Sequence, residues 1–494
     1  MPPSPRRKRI DVQFTLKRVF KKAAFRPLQL EVINEAIAGN DIFLCAATSF
    51  GKSLCYQLPA VVATGVTVVI SPLLALMTNQ VNAASQLGIP TALICSTTLR
   101  PERDRIETDL LCGHPETRLL YVTPELCSFD RFRKILLQVH RQGQLTRIAI
   151  DEAHCISEWG HDFRPAYKEL VWLKKNLVLP SVPIMAVTAT ATKQVRDDIF
   201  TFLGMKDATV FTTSSARPNI HYDVQYFSES NPQNSEGDLY PFLLDWLTRM
   251  HQRRVVGSLN APNAYSKATN GIIYCPTRAS ADELANRLAS NGIRASAYHA
   301  GLEPATRLKV QADFLASPTI PSDQVESLVA SFNLICATTA FGMGIDMPNV
   351  RFVVHYGLPR GMESYIQESG RGGRDNKGAA SVILYTREDK DRCLWRLGQD
   401  IAKEKNPKTA EAKKHSLQKM IEFCEATDRC RHELVADYFD GGCEEGKAMC
   451  DYACDHCKEG KTELQKRKER GLATEQDAME YTQRQGLVGT YDYA

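Results

Sequence analysis

The constraint that leaves this chain the fewest options is an alternation of short apolar runs with helical stretches, played through twice. The first series comprises Ile42–Cys45, Val66–Ile70, Arg118–Val122, Ile148–Ile150 and Ile184–Val187. The second begins near Gly271 with Ile272–Cys275 and continues through Asn333–Ala337, Phe352–His355 and Val382–Tyr385. Runs that are apolar at nearly every position, instead of at every second one, predict strands buried on both faces. That is the pattern of a parallel sheet covered by helices on each side. Two α/β domains in series follow, within the roughly two to four domains expected for 494 residues.

Between the series, Ser228–Gly237 and Val256–Asn270 are rich in Ser, Asn, Gly, Pro and Ala and read as loops or an insertion. Ser317–Glu326 reads as another loop. After about Asp391 the strands stop, charged helical sequence takes over, and cysteines crowd together. The 34 residues after Gly460 read as a polar tail. Apolar content of 43% and charged content of 24% are ordinary for a soluble globular protein. There is no uncharged apolar stretch of ~18 residues to span a membrane and no apolar leader, so the cytosol or nucleus is expected. Fifteen cysteines in a reducing compartment argue against a disulfide framework, leaving buried thiols and a local metal site. A net charge of +4 points only weakly to polyanions. The run Arg6–Arg9 suits an import signal, a phosphate-binding arm or a solvated tip.

Two motifs carry chemistry. Thr48-Ser49-Phe50-Gly51-Lys52-Ser53 follows the first apolar run and opens a helix. A loop so placed aims backbone N–H groups and a helix N-terminus at phosphate oxygens. Lys52 would neutralise the β- and γ-phosphates and the Ser53 hydroxyl would ligate Mg2+. Ala46 stands where the full Gly-x4-Gly-Lys-Ser pattern has its first glycine, so this motif alone does not decide. The run Ile148–Ile150 leads directly into Asp151-Glu152-Ala153-His154. An acidic pair at a strand end faces the phosphates in such a sheet. Asp151 would hold magnesium, and Glu152 would orient and deprotonate the attacking water. Acid pairs are often mere helix caps, a reading that weakens when a phosphate loop precedes them by ~100 residues in one domain.

Asp-Glu-Ala-His together with Gly-Lys-Ser resembles the superfamily-two helicases, and further blocks in order narrow the resemblance to the RecQ family. Phe25-Arg26-Pro27-Leu28-Gln29 is similar to that family's adenine-reading segment, which implies base contacts for Arg26 and Gln29. Ser71–Met77 and Tyr121–Glu125 resemble its strand-tracking motifs and imply nucleic-acid contacts for Ser71 and Thr123. Arg100 is a weaker candidate of the same kind. Trp159–Pro165 resembles its aromatic-rich loop, where Trp159, His161, Phe163 and Arg164 would stack on unpaired bases and sense DNA. Core packing is the plainer reading of Trp159 and Phe163. Ala189–Thr192 matches the segment linking hydrolysis to unwinding. In the second series, Tyr298–Leu302, Ala337–Pro348 and Gln367–Asp375 fit in order. There the resemblance implies a role for Gln367, finger arginines in Arg371 and Arg374, and ribose-side positions in Gly344 and Asp346. It covers about residues 14–458.

Cys450, Cys454 and Cys457 form C-x3-C-x2-C, with Cys430 upstream of them. Four thiolates enclose a tetrahedral zinc and supply folding energy that a small helical module lacks. Cys443 competes for the second ligand position and Cys424 reads as a core thiol. The resemblance therefore implies two tandem RecA-like (P-loop) parallel-sheet domains followed by a small helical zinc-binding subdomain. The expected boundaries are a basic arm 1–13, domains 14–212 and 213–390, the zinc subdomain 391–460 and a tail 461–494. It implies ATP, Mg2+ and Zn2+ as cofactors, and DNA, single-stranded, forked or branched, as partner. It further implies 3′–5′ helicase activity, work beside repair and recombination proteins, and a nuclear or chromosome-associated location. Ser49 replaces a family glycine, Lys22 stands where an adenine-stacking ring is common, and too little chain follows the cysteines for a winged-helix domain. A short form or fragment is expected, with a DNA-binding or strand-annealing module and an RNA helicase as the competing readings.

Overall fold

The computed structural model describes residues 11–473 apart from 48–49, 160–162, 229–238, 261–266, 317, 319, 321–327, 343–346, 348, 405, 442–449 and 451–453. The chain divides into two compact units, Met1–Ser215 and Ala216–Ala494.

Unit one holds a parallel sheet. Its strands are β1 (Ile42–Cys45), β2 (Val66–Ile70), β3 (Thr91–Ile94), β4 (Leu119–Val122), β5 (Leu145–Ile150), β6 (Ile184–Thr188) and β7 (Thr209–Thr212). They lie in the order β3-β4-β2-β5-β6-β1-β7. β1, β2, β4 and β6 are buried along their whole length, because alternate side chains feed two separate cores. Phe43 and Ile148 join one core, while Ile42, Leu44 and Ala149 join the other. A buried arginine locks the sheet to its helical cover: Arg147 on β5 donates to the carbonyls of Ala36 (2.6 Å) and Asn40 (3.1 Å). The cation thereby closes the C-terminus of helix Gln29–Ala38, where carbonyls lack partners.

Unit two holds a second parallel sheet of β8 (Ile220–Phe227), β9 (Thr269–Tyr274), β10 (Ala295–Tyr298), β11 (Phe332–Ala337), β12 (Val350–His355) and β13 (Ala379–Thr386). Their order is β10-β11-β9-β12-β13-β8. β8 is an edge strand, and the C-terminal helices cover it. Its Tyr222, Val224 and Tyr226 share one core with Phe423, Cys424, Val435 and Leu464. The zinc-binding region is thus built onto the sheet, which removes an edge open to pairing with other chains.

All nine apolar runs expected as strands are strands, and the architecture is two parallel-sheet domains followed by a helical zinc-binding region. The strands absent from the sequence reading are β3, β7, β8 and β10. β8 alternates polar with apolar residues because only one of its faces is covered completely. Two expectations are corrected. Residues 256–260 continue helix Tyr240–Asn260 and Thr269–Asn270 open β9, so Val256–Asn270 is not one loop. The helix persists because Leu243 and Leu247 are buried, Trp246 meets Phe352 edge-on at 5.1 Å, and Arg254 donates to the Ser331 carbonyl at 2.7 Å. The polar tail begins instead with helix Lys461–Gly471, held by the buried Leu464 and by Arg467, which reaches Asp223 at 3.0 Å and Asp455 at 3.1 Å. The other two loop segments, 229–237 and 321–326, and the run Arg6–Arg9 lie outside the described residues. No described helix is long and apolar enough to cross a membrane.

Candidate active site and metal centre

In unit one the site grows from the carboxyl ends of neighbouring strands β5, β6 and β1. Beyond β1, Ala46 N donates to the Thr188 carbonyl at 3.1 Å, tying the start of the phosphate loop to β6. The loop ends at Gly51, which caps helix Lys52–Val62 with φ +82. A Cβ there would stand 2.9 Å from Gln29 Nε2, so glycine is needed for both conformation and space. Gln29 is 3% exposed and donates to the carbonyls of Phe50 (2.8 Å) and Gly51 (3.3 Å), while its Oε1 accepts from Arg26 N at 2.9 Å. The segment expected to read adenine is therefore joined to the phosphate loop, with the Arg26 side chain exposed. Lys52 Nζ donates to the Ala46 carbonyl at 2.8 Å, and Ser53 is half-buried on the first turn.

The acid pair sits at the end of β5. Asp151 N donates to the Ile70 carbonyl at 2.9 Å and the Asp151 carbonyl accepts from Tyr167 Oη at 2.8 Å, which fixes the backbone beneath both acids. Burial and the adjacent Glu152 charge push the Asp151 carboxyl up to about 7, against the opposing pull of Lys52. Glu152 adopts φ +50, a left-handed conformation uncommon outside glycine and concentrated at functional sites. His154 connects Glu152 to β6. Its Nδ1 lies 3.4 Å from Glu152 Oε2 and 3.0 Å from Thr188 Oγ1. The Thr188 hydroxyl donates to the Thr190 carbonyl at 2.9 Å, so it accepts from His154, and the histidine proton sits on Nδ1. Through Thr188, a buried contact thus joins the Asp-Glu-Ala-His segment to Ala189–Thr192.

The expected strand contacts fall less uniformly. Ser71 is 1% exposed and its hydroxyl lies against Asp151. Thr123 Oγ1 accepts from Leu126 N at 3.4 Å and caps a short turn. Arg100 is exposed, with only Asp104 at 3.9 Å. Trp159 is half-buried against the core, Phe163 carries Lys168 over its ring at 5.1 Å, and Arg164 Nη1 donates to the Pro72 carbonyl at 3.1 Å. The aromatic loop is thereby tied to the Ser71–Met77 segment. Thr48, Ser49, His161, Gly344, Asp346 and Cys443 lie outside the described residues.

In unit two, Gln367 is half-buried on helix Met362–Ser369, which runs into the arginine loop. Of the two finger candidates, Arg371 is 6% exposed and turned inward, its guanidinium against the Tyr274 hydroxyl, while Arg374 is half-buried. Arg371 thus meets the sheet through Tyr274, and Arg374 lies beside it along the same small cavity. A cleft of about 480 Å3 opens at the carboxyl ends of β9, β11 and β12, lined by Thr277, Arg278, Thr338, Arg360 and Ser364. Beneath it His355 Nε2 meets Glu368 Oε2 at 2.9 Å, both side chains buried. Sequence reasoning missed this cleft. The signal was Pro276-Thr277-Arg278 directly after an apolar run.

Cys430, Cys450 and Cys454 gather with His432, their ligand atoms all within 4.8 Å of one another. Cys430 and Cys454 Sγ are 3.8 Å apart, the separation of ~3.8 Å that two sulfurs at ~2.3 Å from a tetrahedral zinc require. Cys457 N donates to Cys454 Sγ at 3.4 Å, so the fourth cysteine borders the same cluster. The Cys430 thiol, donating toward Cys454, holds the latter well below the usual thiol range, as the thiolate of the pair. The residues present fit zinc.

Residues 26–198 match the DEAD/DEAH box helicase family, 255–376 the helicase conserved C-terminal domain and 387–458 the RecQ zinc-binding family. ATP-dependent DNA helicase Q5 of Rattus norvegicus is 38% identical over 90% of this chain and 43% of its own length. ATP-dependent DNA helicase Q1 of the same species is 36% identical over 90% of this chain and 64% of its own. The chain belongs to the RecQ helicases. It spans less than half the length of helicase Q5. Among solved structures, Mycobacterium smegmatis helicase Lhr bound to ssDNA and AMP-PNP shares the fold. It aligns at a TM-score of 0.52 and 18% identity over 77% of this chain and 48% of its own. The RecQ zinc-binding match follows the helicase C-terminal match along the chain and contains Cys430, Cys450, Cys454 and Cys457.

Proposed function

We propose that the chain is an ATP-driven DNA helicase of 3′–5′ polarity whose hydrolysis is stimulated by single-stranded DNA. The observation that carries this reading is the placement of His154 Nδ1, 3.4 Å from Glu152 Oε2 and 3.0 Å from Thr188 Oγ1, between the acid that would drive hydrolysis and the segment that would respond to strand movement. Lys52 and the loop N–H groups would bind the phosphates, Gln29 and Arg26 the base, and Glu152 would accept the proton of the attacking water. Ser53 and Asp151 would hold magnesium, which supplies charge neutralisation at the phosphates. Arg374 would stabilise the charge on the transferring phosphoryl group, with Arg371 setting its loop. In unit two Thr277, Arg278 and Arg360 would take strand phosphates, and in unit one Trp159 and Phe163 would stack on bases. Forked or branched DNA as substrate, roles in repair, recombination and replication, protein partners from those processes and a nuclear location belong to the same proposal.

The test is phosphate release with single-stranded DNA and with RNA, followed by strand displacement on 3′- and 5′-tailed duplexes. We expect DNA to stimulate more than RNA, 3′-tails alone to support displacement, and Lys52→Ala to lose hydrolysis with an unchanged circular dichroism spectrum. Hydrolysis retained in Lys52→Ala would defeat the assigned site, and stimulation by RNA alone would transfer the chain to the RNA helicases.

A further inference from the structure

The thiol cluster and the arginine loop lie in the same unit, and buried hydrogen bonds connect them. His432 is fully buried, with its ring edge-on to Tyr222 at a centroid distance of 4.8 Å. Its Nε2 lies 3.1 Å from the Arg217 carbonyl, which can only accept, so Nε2 carries a hydrogen. Its Nδ1 side faces the cluster of Cys430, Cys450 and Cys454, with the Cys454 sulfur alongside. A histidine that donates one ring N–H to a backbone carbonyl has its other nitrogen fixed in direction, the usual arrangement beside a bound metal.

Arg217 is 6% exposed and carries the connection onward. Nη1 donates to the Gly370 carbonyl at 2.7 Å and Nη2 to the Gly373 carbonyl at 2.6 Å. One guanidinium therefore grips the backbone on both sides of Arg371 and directly before Arg374. The loop has reason to need a grip. It contains Gly370, Gly372 and Gly373, and Gly373 sits at φ +57, where a Cβ would stand 2.6 Å from Asn219 Nδ2. Such a segment loses much backbone entropy whenever it is ordered. A loop that must present Arg374 to a developing charge works best if that entropy is removed before the reaction.

We propose that His432 and Arg217 make the thiol cluster and the arginine loop one mechanical unit, so that metal in the cluster sets the position of Arg374. Arg217 and His432 are positioning residues, and the effect on turnover rests on the reading of Arg374 given above. The metal's part is to hold the cysteines and His432 in place. The order of the loop then passes through the His432 N–H, the Arg217 backbone and the Arg217 guanidinium. This assigns the zinc region a task in the hydrolytic step, separate from any part in gripping DNA.

The experiment uses the full chain. His432→Phe keeps the ring that packs on Tyr222 and removes both nitrogens, while Arg217→Met alters the loop end and leaves the cysteines and His432 in place. Zinc content, hydrogen–deuterium exchange of residues 369–376, kcat and KM for ATP, and single-stranded DNA affinity are measured on each. We expect Arg217→Met to keep its zinc, and both variants, compared when saturated with zinc, to exchange about tenfold faster across the loop. kcat should fall about tenfold, equivalent to ~1.4 kcal/mol, with KM and DNA affinity within about twofold of the parent. Stripping zinc from the parent protein should loosen the same segment while β12 stays protected. Stripping it from His432→Phe should add nothing further there, because the connection is already cut. Parent-like exchange in both variants overturns the proposal. So does an equal loosening by zinc removal whether or not His432 is present. If Arg374→Ala keeps full turnover, the arginine reading fails by itself, and the exchange data still decide the coupling.

Discussion

Replacing Asp455 by alanine gives a sharp test of how the zinc region is attached. The carboxylate is fully buried and accepts from Arg431 Nε (2.9 Å) and Nη2 (3.0 Å), Arg467 Nη2 (3.1 Å), Val224 N (3.1 Å) and His456 N (2.7 Å). Arg431 is equally buried, and its remaining partners are the Phe423 carbonyl and the Tyr226 hydroxyl, both neutral. Asp455→Ala therefore strands a guanidinium in the interior and leaves a β8 amide unpaired. Breaking a buried pair from one side costs ~3–5 kcal/mol. At ~2–4 °C per kcal/mol for a domain of this size, the C-terminal unit should melt roughly 6–20 °C lower. The assay is urea unfolding of zinc-saturated protein, followed in parallel by far-ultraviolet circular dichroism and by zinc release to a dye. Because most of the penalty is the orphaned charge, Arg431→Met combined with Asp455→Ala should recover a large part of the loss. A loss below ~1 kcal/mol in Asp455→Ala, or a double variant as unstable as the two single losses added, would refute this reasoning.

Two further outcomes follow from unit one. Thr188→Val keeps the shape of a buried side chain and removes the acceptor for His154 Nδ1, so DNA-stimulated kcat should fall about tenfold, or ~1.4 kcal/mol, with nucleotide affinity little changed; an unaltered kcat would detach His154 from the link to β6. The Asp151 carboxyl, raised from 3.8 to about 7, gives a pH dependence of definite sign. The folded protein holds a proton there that the unfolded chain releases, so the stabilising contribution is complete below the unfolded value of 3.8 and is lost as pH rises through about 7. Melting temperature without magnesium should accordingly fall between pH 5 and 8 by an amount that Asp151→Asn abolishes, and parallel curves for the two proteins would contradict the assignment.

What could be read in advance divides along physical lines. Strands buried on both faces announce themselves as unbroken apolar runs, which is why β1, β2 and β9 were legible and the alternating β8 was not. The candidate catalytic groups at strand ends stood out for the same reason, since Asp151 and Lys52 lie at fixed offsets from those runs. Arg371 and Arg374 read alike because a motif records spacing and not how deeply a side chain is buried. The groups that hold the site together had no such signal. Thr188 closes a strand that reads only as apolar, and Arg217 and His432 are separated by more than two hundred residues of chain.

The same contrast explains where Arg431 and Asp455 sit. Each adjoins a cysteine, and in sequence each looks like an ordinary charge on a surface helix. Only the covering of β8 makes them interior groups, because the helices that bring the cysteines together must cross that strand to do so. Zinc binding and edge protection therefore impose one geometry on the C-terminal region: whatever draws Cys430 toward Cys454 also seats Asp455 on Val224 N and His432 on the Arg217 carbonyl. A substitution that loosens the cluster should for that reason be felt first at β8 and the arginine loop, ahead of any change in the first unit.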